Sequence, residues 1–436
     1  MSVISDKWPF DPGRVPFFYG WIIWFFSTLG FLVSVPGQTM GMAIFTDYFI
    51  EGLGLSRTEL SMAYLCGTIG SSLFLTRAGR WYDIYGGRLM ISLSSFALGL
   101  MIFFISITDL LAELAGGFAF ALILIGYFGV RFLGQGILSS CSRNVLLHWF
   151  VKRRGLVTGI RGVFVSLGFS LAPLLLAWFI VIFGWRGALW LMAIIVGFIF
   201  PILAFIFLRD RPESAGLMPD GAVRSERDTE ESMPVILGRS LKAAQRDPVF
   251  WIYAGSLGMH ALFGTALTFH VVSIFADVGR SAAEALAYFF PSAIFATTSS
   301  LIASWLVDRY KLKPFLIMML IFFVIGASGL LNLEKPWGFW LLAMGFGTGN
   351  GLWGVISNLA FIRFYGPLNL GAISGFAASV TVFSSAVGPA AFSLGFDFFG
   401  SYGAAVKVCI GLLCLFLIAA IVVDQQEVSQ EENQMV

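Results

Sequence analysis

The sequence predicts an all-α membrane protein, with twelve transmembrane helices in two pseudo-symmetric six-helix bundles. Three observations predict it. Hydrophobic residues make up 58% of the chain and charged residues only 12%, against about 25% charged in a soluble domain. Twelve apolar stretches each approach the roughly 20 residues that a helix needs to cross the hydrocarbon core. A pattern of residues also occurs twice. Ser56…Glu59 returns as Ser281…Glu284, and Asp83 and Tyr85 return as Asp308 and Tyr310, at an offset of 225. Gly159, Pro173, Gly184, Gly187 and Ala188 return as Gly375, Pro389, Gly400, Gly403 and Ala404, at an offset of 216. Two equivalent membrane halves leave a crevice between them, the layout of transporters built from parallel repeats.

The expected spans are 18–45, 57–77, 87–107, 118–144, 156–183 and 187–208 in the first half. In the second half they are 249–276, 283–306, 314–331, 338–361, 371–396 and 402–423. Residues 1–208 then form the first bundle, 209–247 a polar linker rich in proline and charge, 248–424 the second bundle, and 425–436 an acidic tail. Ser56…Glu59 and Ser281…Glu284 have the spacing of capping boxes at the starts of the second and eighth spans. Residues 1–15 carry Asp6, Pro9, Asp11 and Pro12 and read as no cleaved signal.

Charge sets the expected orientation. With the N-terminus inside, 21 Lys and Arg fall on or near the inner face, 5 fall outside, and Arg131 remains within the membrane. That bias predicts both termini and the linker in the cytoplasm, in a bacterial inner membrane. The net charge of +2 says nothing about a partner, and the lack of a nucleic-acid motif or basic stripe argues against a nucleic-acid one. Cys66, Cys141, Cys409 and Cys414 fall within or at the ends of spans, with no disulfide or metal spacing. No Walker loop, cofactor motif or nucleophile–base constellation appears, so neither ATP-driven transport nor an enzyme is expected.

Gly79-Arg80-Trp81-Tyr82-Asp83-Ile84-Tyr85-Gly86-Gly87-Arg88 joins the second and third spans. It resembles the G-x-x-x-D-R-x-G-x-R signature of the major facilitator superfamily, with Ile84 at the usual arginine. Asp308-Arg309-Tyr310-Lys311-Leu312-Lys313 sits at the equivalent place in the second half, with Ser304 for the glycine. Arg131-Phe132-Leu133-Gly134-Gln135-Gly136 is similar to the family's R-x-x-Q-G element, lengthened by one residue. Gly159, Gly168 and Pro173 are similar to its fifth-helix element, with Ala172 for the last glycine. The stretch from Arg209 to Gly221 resembles bacterial monocarboxylate-porter-like members. The resemblance implies alternating access, a latch containing Asp83, Arg88, Asp308 and Arg309, and a small monocarboxylate as substrate.

Arg131 is the outstanding polar residue, about 18–20 Å above Arg143 along the fourth span. A guanidinium at that depth costs roughly 2.5–3.5 kcal/mol on insertion scales, so it needs a cavity or a partner. It could bind a substrate carboxylate through two parallel hydrogen bonds, relay protons, or serve structure. Gln38 and Thr39, after a Pro36-Gly37 break in the first span, could line the same cavity. So could Gln135 and, in the tenth span, Asn350 and Trp353. Interhelical hydrogen bonding or core packing would also explain them. No Asp or Glu lies at mid-span. His260 and His270 are therefore the candidates for proton coupling, with packing as the plainer role, while His148 is expected at the surface. The sequence thus predicts a monomeric secondary transporter of a small organic anion, with protons as the candidate coupling ion. A proton-coupled drug or metabolite efflux antiporter, or a nontransporting membrane sensor, are the alternatives.

Overall fold

The computed structural model describes residues 7–114, 117–221, 238–424 and 427. Residues 222–237 of the linker, and the tail apart from Glu427, lie outside the described residues. The described chain is helical throughout its apolar stretches. α1 (Gly20–Val33) is interrupted by a tight turn at Val35–Gly37 and resumes as short helices at Thr39–Ala43 and Thr46–Leu53. The helix Arg57–Ser106 is 50 residues long but breaks at Gly86, whose φ of 82° and ψ of 166° are outside any helix. The break divides it into α2 (57–85) and α3 (87–106). Glycine alone reaches that conformation without a Cβ clash. Gly184, at φ 69°, breaks the next long helix in the same way, giving α5 (154–183) and α6 (185–207). Its repeat partner Gly400 is also left-handed, at φ 66°.

Between them lies α4, running from Ala119 to Trp149. The second half comprises α7 (Pro248–Asp277), α8 (Phe289–Val307), α9 (Leu312–Leu331), α10 (Pro336–Tyr365), α11 (Leu370–Phe399) and α12 (Gly403–Val422). Among the described residues nine helical stretches are long and apolar enough to span a membrane. Two of these are the glycine-broken pairs. α10, diluted by Gly345, Gly347, Gly349, Gly351 and Gly354, is below that apolarity but at 30 residues is about 45 Å long. The total is twelve crossings, so both termini emerge at one end of the molecule. Both capping boxes close. Glu59 N–H donates to Ser56 Oγ at 3.2 Å while Glu59 accepts from Ser56 N–H at 2.8 Å. Ser281 and Glu284 repeat the exchange at 3.2 and 3.0 Å.

Packing follows the repeat. One apolar core draws on residues from Tyr19 to Leu208. The other draws on Leu241 to Ala420, plus Leu147 from the first half. Arg209 ties the terminus-bearing end of the first bundle together. It donates to the Phe10 carbonyl at 3.2 Å, and its own carbonyl accepts from Trp149 Nε1 at 3.1 Å. His148 is not a surface residue. It lies on the inward side of the last turn of α4, 9% exposed, with its ring stacked on Tyr82. All four cysteines are free.

Candidate functional site

At the end of the molecule that carries the termini, the two halves are joined by matching contacts. Asp83, at the end of α2, accepts from the backbone N–H groups of Gly371 and Ala372 at 2.7 and 2.8 Å. Those groups open α11. Asp308, at the end of α8, accepts from Gly155 and Leu156 N–H at 2.7 and 3.0 Å. Those groups open α5. The first N–H groups of a helix have no partner within it and carry partial positive charge. Each aspartate therefore caps a helix of the opposite half. Asn144 of α4 adds a third crossing bond, to Ser374 of α11 at 2.9 Å.

Arg88 and Arg309 stand apart from these crossings. Arg88 is buried inside the first half, where its Nε donates to the Phe205 carbonyl and its N–H to Asp210, both at 2.7 Å. It anchors the start of α3 to the end of α6. Arg309 lies over the Trp305 ring on its own side. The cation beside Asp308 is instead Arg363 of α10, at 3.9 Å, which also donates to the carbonyls of Val307 and Tyr310. Burial raises the Asp308 carboxyl above the ordinary carboxylate value, opposed by the Leu156 and Gly155 N–H groups and by Arg363.

Deeper in the first half, Arg131 is 3% exposed and meets the break in α1. Its Nη1 donates to the Gly37 carbonyl at 3.1 Å, and its guanidinium lies over the Tyr64 ring at 5.2 Å. The Tyr64 hydroxyl donates to Thr39 Oγ1 at 2.8 Å. Gln38 Nε2 donates back to Ser34 at 3.2 Å. The helix around Arg131 has the wider π winding over Arg131–Leu138. A π turn absorbs one extra residue in a helix, which is how the lengthened arginine element fits. The close approach of α1 depends on Gly37, because a Cβ there would stand 2.5 Å from the Val130 carbonyl and 2.6 Å from Gln135 N. Arg131 Nε and Gln135 Oε1 are both buried and have no hydrogen-bond partner.

The second half gathers its own group. His260 stacks on Phe323 at 4.7 Å and meets Trp353 at 5.0 Å, with Asn350 three residues before Trp353 on α10. Trp353 Nε1 donates to the Leu257 carbonyl at 3.3 Å. His270 is elsewhere, between α7 and α11, where Nε2 is 3.0 Å from the Pro389 carbonyl and 3.3 Å from Ser393 Oγ. Among the described residues no hydrogen bond joins the Arg131 group to the His260 group.

Sequence reasoning passed over Tyr64, Arg363, Asp210 and Asp220. Asp220 accepts from Val151 and Lys152 N–H at 2.9 and 2.8 Å, capping the turn before α5. Tyr64 carried a signal, since it falls on the face of the second span that also carries Gly67 and Ser71, three and seven residues on. The carboxylate caps carried none, because an aspartate far away in sequence cannot be assigned to a helix start.

Twelve crossings in two halves, joined at one end and holding polar groups at mid-depth, define a helical membrane protein built of two repeated bundles. The sequence pattern of the Major Facilitator Superfamily matches residues 26–389. The chain belongs to that superfamily. It is 25% identical over 195 residues to a hexuronate transporter of Bacillus subtilis (strain 168), covering 44% of this chain and 43% of that one. It is 30% identical over 139 residues to a probable L-galactonate transporter of Escherichia coli (strain K12), covering 31% of this chain and 28% of that one. These matches span less than half the length of those relatives. In three dimensions it is similar to a bacterial homologue of the iron transporter ferroportin in an outward-facing state with soaked iron. That similarity has a TM-score of 0.70 at 16% identity, over 91% of this chain and 98% of the other.

Proposed function

We propose that this transporter carries a small organic anion, a monocarboxylate of the sugar-acid kind, by alternating access across a bacterial inner membrane. The single observation that carries the reading is Arg131. It is a buried cation at mid-depth with Nε unpartnered, and no carboxylate among the described residues lies within ion-pair distance of it. Such a charge is costly unless a ligand completes it. Two sequence relatives, the hexuronate transporter and the probable L-galactonate transporter, are named for sugar acids.

In this reading Arg131 takes the carboxylate, and Gln38, Thr39 and Gln135 take hydroxyl groups from the first half. Asn350 and Trp353 approach from the second half when the halves rock. Asp83 and Asp308 hold the terminus-bearing end shut, and the 21-to-5 charge bias makes that end cytoplasmic. The structure is then the outward-facing form. Its proton-coupling candidate is His260, whose ring meets Trp353.

The test is binding of D-glucuronate to purified protein. Wild type is expected to bind, and Arg131→Lys to bind roughly 10- to 150-fold more weakly, the loss of a charge-assisted pair of about 1.5–3 kcal/mol. An ammonium keeps the charge but not the planar fork. Equal affinity in both proteins, with normal insertion, would remove Arg131 from the site.

A further inference from the structure

The first half contains two more cations that the latch and the Arg131 site leave unused. Arg143 of α4 is six residues from Trp149, and Arg161 of α5 is seven from Arg154. Each is therefore about 10 Å above the terminus-bearing end of its helix, at a common depth. The two segments flank one turn of α1, where Ser142, beside Arg143, faces Gly30 and the Arg161 guanidinium faces the adjacent Phe31. Like charges at one depth around the same turn repel, so the pair is unfavourable without something negative between them.

The surroundings do not supply it. Arg161 is 4% exposed, its guanidinium lies over the Phe31 ring at 4.7 Å, and its Nε has no hydrogen-bond partner. The hydroxyl of Ser142, next to Arg143, is fully buried and also unpartnered. α1 passes closely here, since a Cβ on Gly30 would stand 2.6 Å from Ser142 Oγ. Among the described residues, no carboxylate lies within ion-pair distance of either arginine. Two cations and a hydroxyl with unfilled donor capacity have the chemistry of a site for one carboxylate or comparable oxyanion.

We propose that Arg143, Arg161 and Ser142 form a second anion station, which the transported carboxylate occupies between the Arg131 site and the latched end. The proposal rests on the organic-anion reading above. The station is about 18 Å from Arg131 along α4, too far for one small anion to bridge, so the two sites fill separately. It also adjoins the seam between halves. Gly159, two residues before Arg161, packs on Ser304 of α8, where a Cβ would stand 2.4 Å from the serine side chain.

The experiment counts bound D-glucuronate per chain by equilibrium dialysis, using full-length protein in lipid nanodiscs. Wild type is expected to hold two. R161Q should hold one, R131K should lose the other, and R143K/R161K should hold two with the second roughly tenfold weaker, as point charges replace forks. The R143K/R161K protein also shows that loss in R161Q is not misfolding. An R161Q protein that still binds as many molecules as wild type overturns the station while leaving the Arg131 reading intact. No glucuronate bound by wild type overturns the organic-anion reading and the station together. Inorganic phosphate displacing the R131K-retained molecule at a tenfold lower concentration than glucuronate would make this a free-phosphate site, and overturns its role as a substrate station.

Discussion

The two aspartate contacts between the halves use one device with different reinforcement. In both, an aspartate at the end of one helix caps the first N–H groups of a helix in the other half. Around Asp83 the contact is backbone on backbone. A Cβ on Gly79 would stand 1.9 Å from the Gly371 carbonyl, and one on Gly371 would stand 2.3 Å from the Gly79 carbonyl. Around Asp308 the repeat partner of Gly79 is Ser304, a side chain fills the gap, and Arg363 supplies a cation with its own bonds to the Val307 and Tyr310 carbonyls. One contact combines close backbone approach with its two hydrogen bonds. The other makes its two hydrogen bonds from an aspartate steadied within its own half by Arg363. The pseudo-symmetry of the fold therefore preserves the N–H caps and leaves the supporting contacts free to differ.

The largest expected effect separates the two by shape. Gly79→Val should prevent the α2–α11 seam from closing, since a clash with backbone cannot be relieved by rotating a side chain. Overpacking of this kind costs about 1–3 kcal/mol or more. Double electron–electron resonance between labels on α2 and α11 should show the short distance depopulated by about tenfold or more. Ser304→Ala should leave the α5–α8 distance distribution close to wild type. A Gly79→Val protein that closes normally would break the comparison.

A smaller effect separates them by charge. Asp83→Asn and Asp308→Asn each replace one accepting carboxylate oxygen by an NH2 group, which cannot accept, so one of the two capping bonds is lost. Asp83→Asn should open its seam by roughly five- to thirtyfold, a loss of about 1–2 kcal/mol. Asp308→Asn should open its seam at least as far, because the Arg363 bonds stay within the second half and its cation is left without a counter-charge beside Arg154 of the first half. D-glucuronate affinity should stay within a few fold in both, since neither aspartate touches Arg131. Less opening at the Asp308 seam than at the Asp83 seam would refute that argument.

The smallest effect is a pH dependence of the Asp308 seam. Burial raises this carboxyl in the closed form, and separation of the halves would return it to its ordinary value near 4. A raised carboxyl binds its proton more tightly in the closed form. Closure at this seam is therefore favoured at low pH and weakened as pH rises through the closed-form value. Arg363, Arg154 and Asp220 are the charged groups facing it. The α5–α8 distance should shorten modestly as pH falls from 7 to 5, and Asp308→Asn should flatten that response. A wild-type seam that loosens on acidification would reverse the sign and refute the argument.

The Arg131 region shows how far local signals reach. The Pro36-Gly37 break and the one-residue lengthening of the arginine element were both legible in the sequence, because proline and glycine fix backbone geometry locally. The structure places the break against the arginine and absorbs the extra residue as a π turn. Arg143 and Arg161 were legible only as inner-face charges. Depth along a span is a matter of counting, but which way a guanidinium points depends on the neighbouring helices. His148 was misread for the same reason, since a basic neighbourhood in sequence says nothing of the Tyr82 ring that covers it.

By itself the sequence determined the membrane class, the twelve spans, the two-fold repeat, both capping boxes and the aspartates that recur between spans. These rest on apolar run length, on spacing and on turn chemistry, which act over a few residues. The tertiary structure decided which helix each aspartate caps, that Arg363 rather than Arg309 lies beside Asp308, and that Tyr64 covers Arg131. Those pairings join residues 50 to 300 positions apart by about, and nothing in the local chain encodes them. They arise when two bundles, each folded around its own apolar core, meet with only a few complementary groups at the seam.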